Sequence, residues 1–302
     1  MSFNYDFVKH RKIFFIFSSI ITVLGIVSLL VFGLNLGIDF ESGSKAEVQA
    51  KTSINAEDLS DTLNSAGLKP EEIPVLAGQN NQRASIAYNK VLSKDEIAKF
   101  KTTIKEKYGT EPSVSTVSPV VGRELARNAL ISVLIASVGI IIYVGIRFEF
   151  LMALAAIIAL LHDAFMIIAV FSFLRLEVDL TFIAAILTIV GYSINDTIVT
   201  FDRIRENMKK TRIKNKDVLA GVVHDSIKQT LTRSINTVLT VLVAAVALWI
   251  FGSESIRNFS IALFIGLMFG MYSSICIASQ LWFVWKAKQL KKRNFKPADS
   301  QA

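Results

Sequence analysis

Six stretches of the chain carry apolar residues almost without interruption, and one long stretch between the first and second does not. The apolar runs lie near Ile13–Leu36, Ala129–Ile146, Phe150–Phe173, Leu180–Phe201, Ile235–Phe251 and Phe259–Trp285. Each is long enough to cross about 30 Å of hydrocarbon at about 1.5 Å per residue. Lipid offers backbone groups no partners, so these runs are predicted to be helices that satisfy their own N–H and C=O groups. The first run follows Lys9, Arg11 and Lys12 and lacks a small-x-small cleavage site, so it reads as an uncleaved signal anchor.

The polar stretch, residues 37–127, has a different periodicity. Between Lys45 and Gly122 it predicts strand (Ala46–Lys51), helix (Ala56–Ala66), strand (Ile73–Ala77), strand (Arg83–Tyr88), helix (Lys94–Tyr108) and strand (Ser113–Ser118). Asn55 before Asp58, and Ser93 with Glu96 three residues on, are helix-start signals. Gly67 and Gly109 are the matching stops. The βαββαβ order suggests a small α+β, ferredoxin-like module. The fold class is therefore a membrane all-α bundle of six transmembrane helices carrying one small extracytoplasmic domain.

Composition and charge set the orientation. Apolar residues make up 52% of the 302 residues and charged ones only 19%, too greasy a balance for a soluble chain of this length. The net charge of +8 does not mark a nucleic-acid binder, because the basic residues cluster beside the apolar runs. The Arg147-Phe148-Glu149 turn, the 203–233 loop, the N-terminus and the 286–302 tail hold most of the Lys and Arg. The short loops opposite, Leu174–Asp179 and Gly252–Asn258, have only Arg175 and Arg257. The basic side, with both termini, is predicted to be cytoplasmic. Lys209–Lys228, mixed polar and apolar, reads as a helix lying along the interface in contact with lipid, or else as a solvated loop. The single cysteine, Cys276, permits neither an intrachain disulfide nor a cysteine-based metal site.

Charge at bilayer depth costs several kcal/mol, so polar residues inside the runs are candidates for function. His162-Asp163 sits mid-way along the third run, and Asn195-Asp196 lies in the fourth, flanked by Ser193 and Thr197. Arg233 stands at the start of the fifth run, where an antiparallel neighbour would bring it to the depth of Asp196. A carboxylate that alternately protonates and pairs with Arg can relay protons. Arg233 is equally readable as an interfacial anchor. His162 and Asp163 read as a structural hydrogen-bonded pair tying helices together. Gly266-x-x-x-Gly270 in the last run reads as helix packing.

Three motifs then point to a family. Gly37-Ile38-Asp39-Phe40-Glu41-Ser42-Gly43, where the first run leaves the membrane, resembles the Gly-Leu/Ile-Asp-Phe-x-Gly-Gly element of the SecD/SecF protein-export family, on its SecF side. Gly191–Val199 with Phe201-Asp202-Arg203-Ile204-Arg205-Glu206-Asn207 resembles that family's fourth-helix signature, and Gln229–Ser234 resembles the start of its fifth helix. Ser42 stands where the family usually has the first glycine of a pair, which bears on the freedom of the hinge formed by Gly37, Asp39, Phe40 and Gly43. The resemblance implies half of a twelve-helix transporter of the resistance-nodulation-division (RND) superfamily, with SecD as the other half. It also implies a place beside the SecYEG channel with SecA in the bacterial cytoplasmic membrane, where a proton gradient drives domain movements that act on exported preproteins. Asp196 and Arg233 match the positions assigned to proton passage.

No phosphate-binding Gly-Lys-Ser/Thr loop, His-Glu-x-x-His or Gly-x-Ser-x-Gly is present, so the expectation is no enzyme, no cofactor and no metal. Three functions fit: a proton-driven accessory of protein export, a passive scaffold for SecD, or half of a small-molecule or lipid exporter. The last should need a larger outer domain with a substrate pocket.

Overall fold

The computed structural model describes residues 5–70 and 73–294; the expected 286–302 tail is described only as far as Asn294, where its residues continue the last helix, and the rest of it lies outside them. Among the described residues, six helices are long and apolar enough to cross a membrane. They are α1 (Arg11–Phe32), α5 (Pro119–Arg147), α6 (Phe150–Phe173), α7 (Leu180–Lys210), α8 (Lys216–Phe251) and a last one built of α9 (Arg257–Ser273), a π-helical segment (Ser274–Ala278) and α10 (Ser279–Asn294). The sequence starts them with side-chain caps: Ser118 ahead of Pro119 for α5, Asp179 for α7 and Asn215 for α8.

In the bundle α7 and α9 pack against each other, with α6 and α8 also on α9 and α1 along α6. Small residues allow the close approach. A Cβ on Gly266 of α9 would come within 2.2 Å of Ile189 on α7, and one on Gly25 of α1 within 2.6 Å of Ala169 on α6. α5 is the most peripheral span, with 11% of its apolar window buried, against 61% for the last helix.

The 203–233 stretch departs from its expected form. It is mostly the ends of two helices, with only residues 211–215 between them. α8 has 36 residues, which makes it about 54 Å long at the α-helical rise, well beyond the thickness of the hydrocarbon. The pair therefore projects past the membrane on the basic side instead of lying along it. Asn207 of α7 donates to Ser226 Oγ (2.9 Å) and Gln229 Oε1 (3.0 Å) of α8, which pins the two projections together.

On the opposite side, β2 (Gly43–Gln49), α3 (Ala56–Ser65), β3 (Val75–Ala77), β4 (Arg83–Tyr88), α4 (Lys94–Tyr108) and β5 (Ser113–Val117) form the α/β domain. Its sheet runs β3-β4-β2-β5 with every neighbour antiparallel, so each helix joins two strands that flank a third. Strand alternation places Ala46, Val48, Ala84, Ile86 and Tyr88 beneath the two helices, which contribute Leu59, Leu63, Phe100 and Ile104 to the core. The other sheet face looks toward the bundle and rests on its loops. Lys45 pairs with Glu177 (2.5 Å), Glu47 accepts from Ser255 (2.7 Å), and Arg83 donates to the Gly252 carbonyl.

Between α1 and the domain lie β1 (Asn35–Leu36) and the single turn α2 (Ile38–Glu41). β1 pairs in parallel with β6 (Glu177–Val178), the two residues just ahead of α7.

Candidate functional site in the membrane core

Among the described residues two carboxylates sit inside the bundle, and their surroundings differ. Asp163 of α6 is 1% exposed and is gripped by three side chains. Its Oδ1 lies 3.1 Å from His162 Nδ1, and its Oδ2 accepts from Ser193 Oγ of α7 and Ser273 Oγ of α9, both at 2.6 Å. One buried carboxylate thus ties together three helices. The π-helical segment begins at the next residue, Ser274, whose hydroxyl meets Thr197 Oγ1 of α7 at 2.8 Å. The wider turn thus starts between the two serines that meet the α6 and α7 polar groups in succession.

Asp196 lies further along α7 toward the basic side and is only half-buried. Its Oδ1 accepts from Ser234 Oγ of α8 at 2.5 Å. Its Oδ2 is buried and has no partner among the described residues. Arg233 does not form the expected ion pair: among the described residues the carboxylate's neighbour on α8 is Ser234, and Arg233 is exposed. A helix turns about 100° per residue, so with Ser234 directed at Asp196 the side chain of Arg233 leaves α8 in another direction. The Arg233 guanidinium is still close enough for its charge to attract the carboxylate. A cavity of about 10 Å³, the scale of one water, is lined by Tyr192, Ser193, Asn195, Asp196, Thr237 and Gly270.

The structure therefore gathers Ser193, Thr197, His162 and Asp163 into one network and leaves Asp196 beside it, with Ser193 belonging to the network and lining the cavity. Asn195 is exposed on α7. Ser234, at the end of the Gln229–Ser234 motif, and the adjacent Ser273 and Ser274 are the partners that sequence reasoning misses, since a serine in an apolar run does not show which helix it faces. The residues after Thr200 do structural work. Phe201 packs edge-on against Phe148, and Asp202 pairs with both Arg147 (3.0 Å) and Arg205 (2.8 Å).

The Gly37–Gly43 element forms the junction with the α/β domain. Asp39 Oδ2 accepts from the Leu180 N–H at 3.0 Å, and Phe40 packs on the core that contains Phe171, Phe182 and Ile186. Gly43 adopts φ +152°, and a Cβ there would meet the Tyr88 carbonyl at 2.3 Å. Ser42 also has positive φ, at +65°.

Six apolar spans, a small α/β domain on one side and a buried carboxylate network describe a multi-pass membrane protein with a polar core. The chain belongs to the SecD/SecF family. Residues 97–288 match the family of the protein export membrane protein SecD/SecF, C-terminal, and residues 27–54 match the SecD/SecF GG motif. The protein translocase subunit SecF of Alicyclobacillus acidocaldarius is 43% identical over 96% of this chain and 95% of its own length. The SecDF subunit of Bacillus subtilis is 58% identical over 96% of this chain, which spans only 39% of that protein's length. The crystal structure of SecDF from Thermus thermophilus, a translocon-associated membrane protein, superposes with a TM-score of 0.83 at 33% identity, covering 94% of this chain and 39% of that one.

Proposed function

We propose that the chain is an accessory subunit of the Sec export machinery. With SecD beside SecYEG and SecA, it uses the proton-motive force to assist late stages of preprotein translocation across the bacterial cytoplasmic membrane. The basic side faces the cytoplasm, with both termini, and the α/β domain faces out.

The observation that carries this reading is the state of Asp196. It has one donor, one buried oxygen without a partner, a small cavity beside it and a nearby guanidinium. A carboxylate so placed can gain a proton, and lose it again, without breaking a network. Asp163, held from three sides, has no such freedom.

Partnership with SecD is supported by the bundle's surface. α7 exposes Thr188, Tyr192 and Asn195 along one stripe, and α8 exposes Arg233, Asn236 and Thr240 along another. Such groups are costly against lipid, and a second helical bundle would cover them. The relatives in which both halves form one chain fit this arrangement.

The test is export of a secreted reporter with and without an uncoupler, normalised to the amount of the chain in the membrane. Asp196→Asn, nearly isosteric and unable to cycle a proton, should keep assembly with SecD and lose the gradient-dependent part of export. Arg233→Met should do the same. Wild-type gradient sensitivity in Asp196→Asn would leave the scaffold reading in place.

A further inference from the structure

The Gly37–Gly43 element has the composition of a hinge, with glycine at each end and a short turn between. Its contacts are those of a clamp. On one side it continues directly into β2, an inner strand of the α/β domain that pairs with both β4 and β5. On the other it is fastened to the first residues of α7 at successive points. β1 pairs with β6 in parallel, Leu36 opposite Val178, and the Gly37 N–H donates to the Val178 carbonyl at 2.8 Å. Gly37 approaches so closely that a Cβ would meet Glu177 Oε1 at 2.6 Å.

Asp39 then completes the first turn of α7. The N-cap residue Asp179 accepts from the Phe182 N–H at 2.8 Å, and Asp39 reaches in from another element to accept from the Leu180 N–H at 3.0 Å. Two carboxylates thus cover N–H groups that the helix itself leaves unpaired, at the end where negative charge is favoured. Lys45 of β2 closes the same joint through Glu177, and Asn258 of α9 donates to the Glu177 carbonyl at 3.0 Å.

We infer that Asp39 is a positioning residue that locks the base of the α/β domain to the start of α7, so that the domain moves with this helix instead of swinging freely at the glycines. α7 is the helix that carries Asp196. A shift of α7 when Asp196 changes its partners would therefore reach the domain through a rigid joint. This rests on the proton-driven reading for its driving force, but not for its geometry.

The experiment uses the full chain assembled with SecD in membrane vesicles and has two arms. In the first, Leu36→Cys and Val178→Cys are combined and oxidised. Paired strand positions fall within disulfide reach, about 4.4–6.8 Å between Cα atoms. The crosslink should form readily and leave export at the level of the reduced protein. Failure to crosslink, or export that stops on oxidation and returns with reductant, would show that the joint opens during work and overturn the clamp.

In the second arm, the labelling rate of Asn89→Cys, exposed beside the joint, is compared with and without a proton gradient. Asp39→Ala should cut the gradient-induced change about tenfold, within the usual range of coupling between sites. Asp39→Asn, which keeps an accepting oxygen, should restore it at equal amounts of assembled protein. A wild-type response in Asp39→Ala would refute the inference. A labelling rate that ignores the gradient in the parent protein, or still follows it in Asp196→Asn, would instead count against the proton-driven reading, and the crosslinking arm would then decide the clamp alone.

Discussion

Asp163 on α6 and Ser273 on α9 are joined by a 2.6 Å hydrogen bond although 110 positions separate them in the chain. The same carboxylate oxygen accepts from Ser193 of α7, so the bond is one part of a three-helix knot at a fully buried point. Hydroxyl donors around a buried acceptor lose their partner when it is replaced, at a cost of about 1–3 kcal/mol for each group left unpaired.

Asp163→Asn keeps one accepting oxygen and turns the other acceptor into a donor. The amount of assembled protein should fall several-fold, while the chains that do assemble keep gradient-sensitive export. Quantifying membrane-integrated chain alongside reporter export separates the two effects. Normal amounts combined with loss of gradient sensitivity would move Asp163 from the scaffold into the relay.

The helical spans and the βαββαβ element order were legible because each rests on a local pattern: unbroken apolar runs, alternation, caps such as Asn55 and Ser93, and stops such as Gly109. Asp163 and Asp196 were visible as charges where charge is costly. Their partners were not. Which serine meets which carboxylate depends on the rotation of each helix about its axis, and the π-helical segment after Ser273 alters that rotation with no compositional mark. Depth in the membrane alone pairs Arg233 with Asp196, and depth does not distinguish it from Ser234 one residue later. The 203–233 stretch misled because its polar residues clothe helices that leave the membrane, where an amphipathic pattern no longer reports contact with lipid.

The start of α4 should respond to acid. Glu96 Oε1 receives Lys90 Nζ at 2.6 Å and Oε2 receives the Ser93 N–H at 2.8 Å, which holds its carboxyl down to about 2, well below the ordinary carboxylate value. A depressed folded-state value contributes stability above the ordinary value near 4.5 that fades as pH falls toward 2. Titration of the Glu96 carboxyl carbon by NMR should therefore show a midpoint near 2 and report opening of the capping box. A midpoint near 4.5 would mean that the box does not hold in solution.

The α7–α9 seam depends on Gly266. A Cβ there would overlap Ile189, with contacts of 2.2, 2.6 and 2.8 Å to three of its atoms. Ile189 is 1% exposed and the cavity that it lines with Gly266 holds only about 10 Å³, so overpacking of about 1–3 kcal/mol is expected for Gly266→Ala. The variant should lower the yield of assembled protein and the temperature at which it aggregates. Ile189→Ala in the same chain removes the colliding atoms and should recover part of the loss. No recovery would show that the helices at this point are held apart by something other than this contact.

Ser42 holds a conformation that glycine adopts at little cost and other residues rarely visit, φ +65° with ψ +151°. The Ser42 N–H donates to the Ile38 carbonyl at 3.0 Å as α2 ends, and Gly43 begins β2 with its own positive φ, so the chain cannot relax here without shifting the strand. Strain of this kind costs of order 1–3 kcal/mol. Ser42→Gly removes it in the folded state but gives the unfolded chain more freedom, which offsets about 0.4–1 kcal/mol of the gain. The net effect should be a modest stabilisation, read as a rise of a few degrees in the aggregation midpoint of the full chain in detergent. Export per assembled chain should not change, because the domain is held at Asp39 and Lys45 and not by stiffness at position 42. A lower midpoint would mean that Ser42 makes a stabilising contact that outweighs its backbone strain.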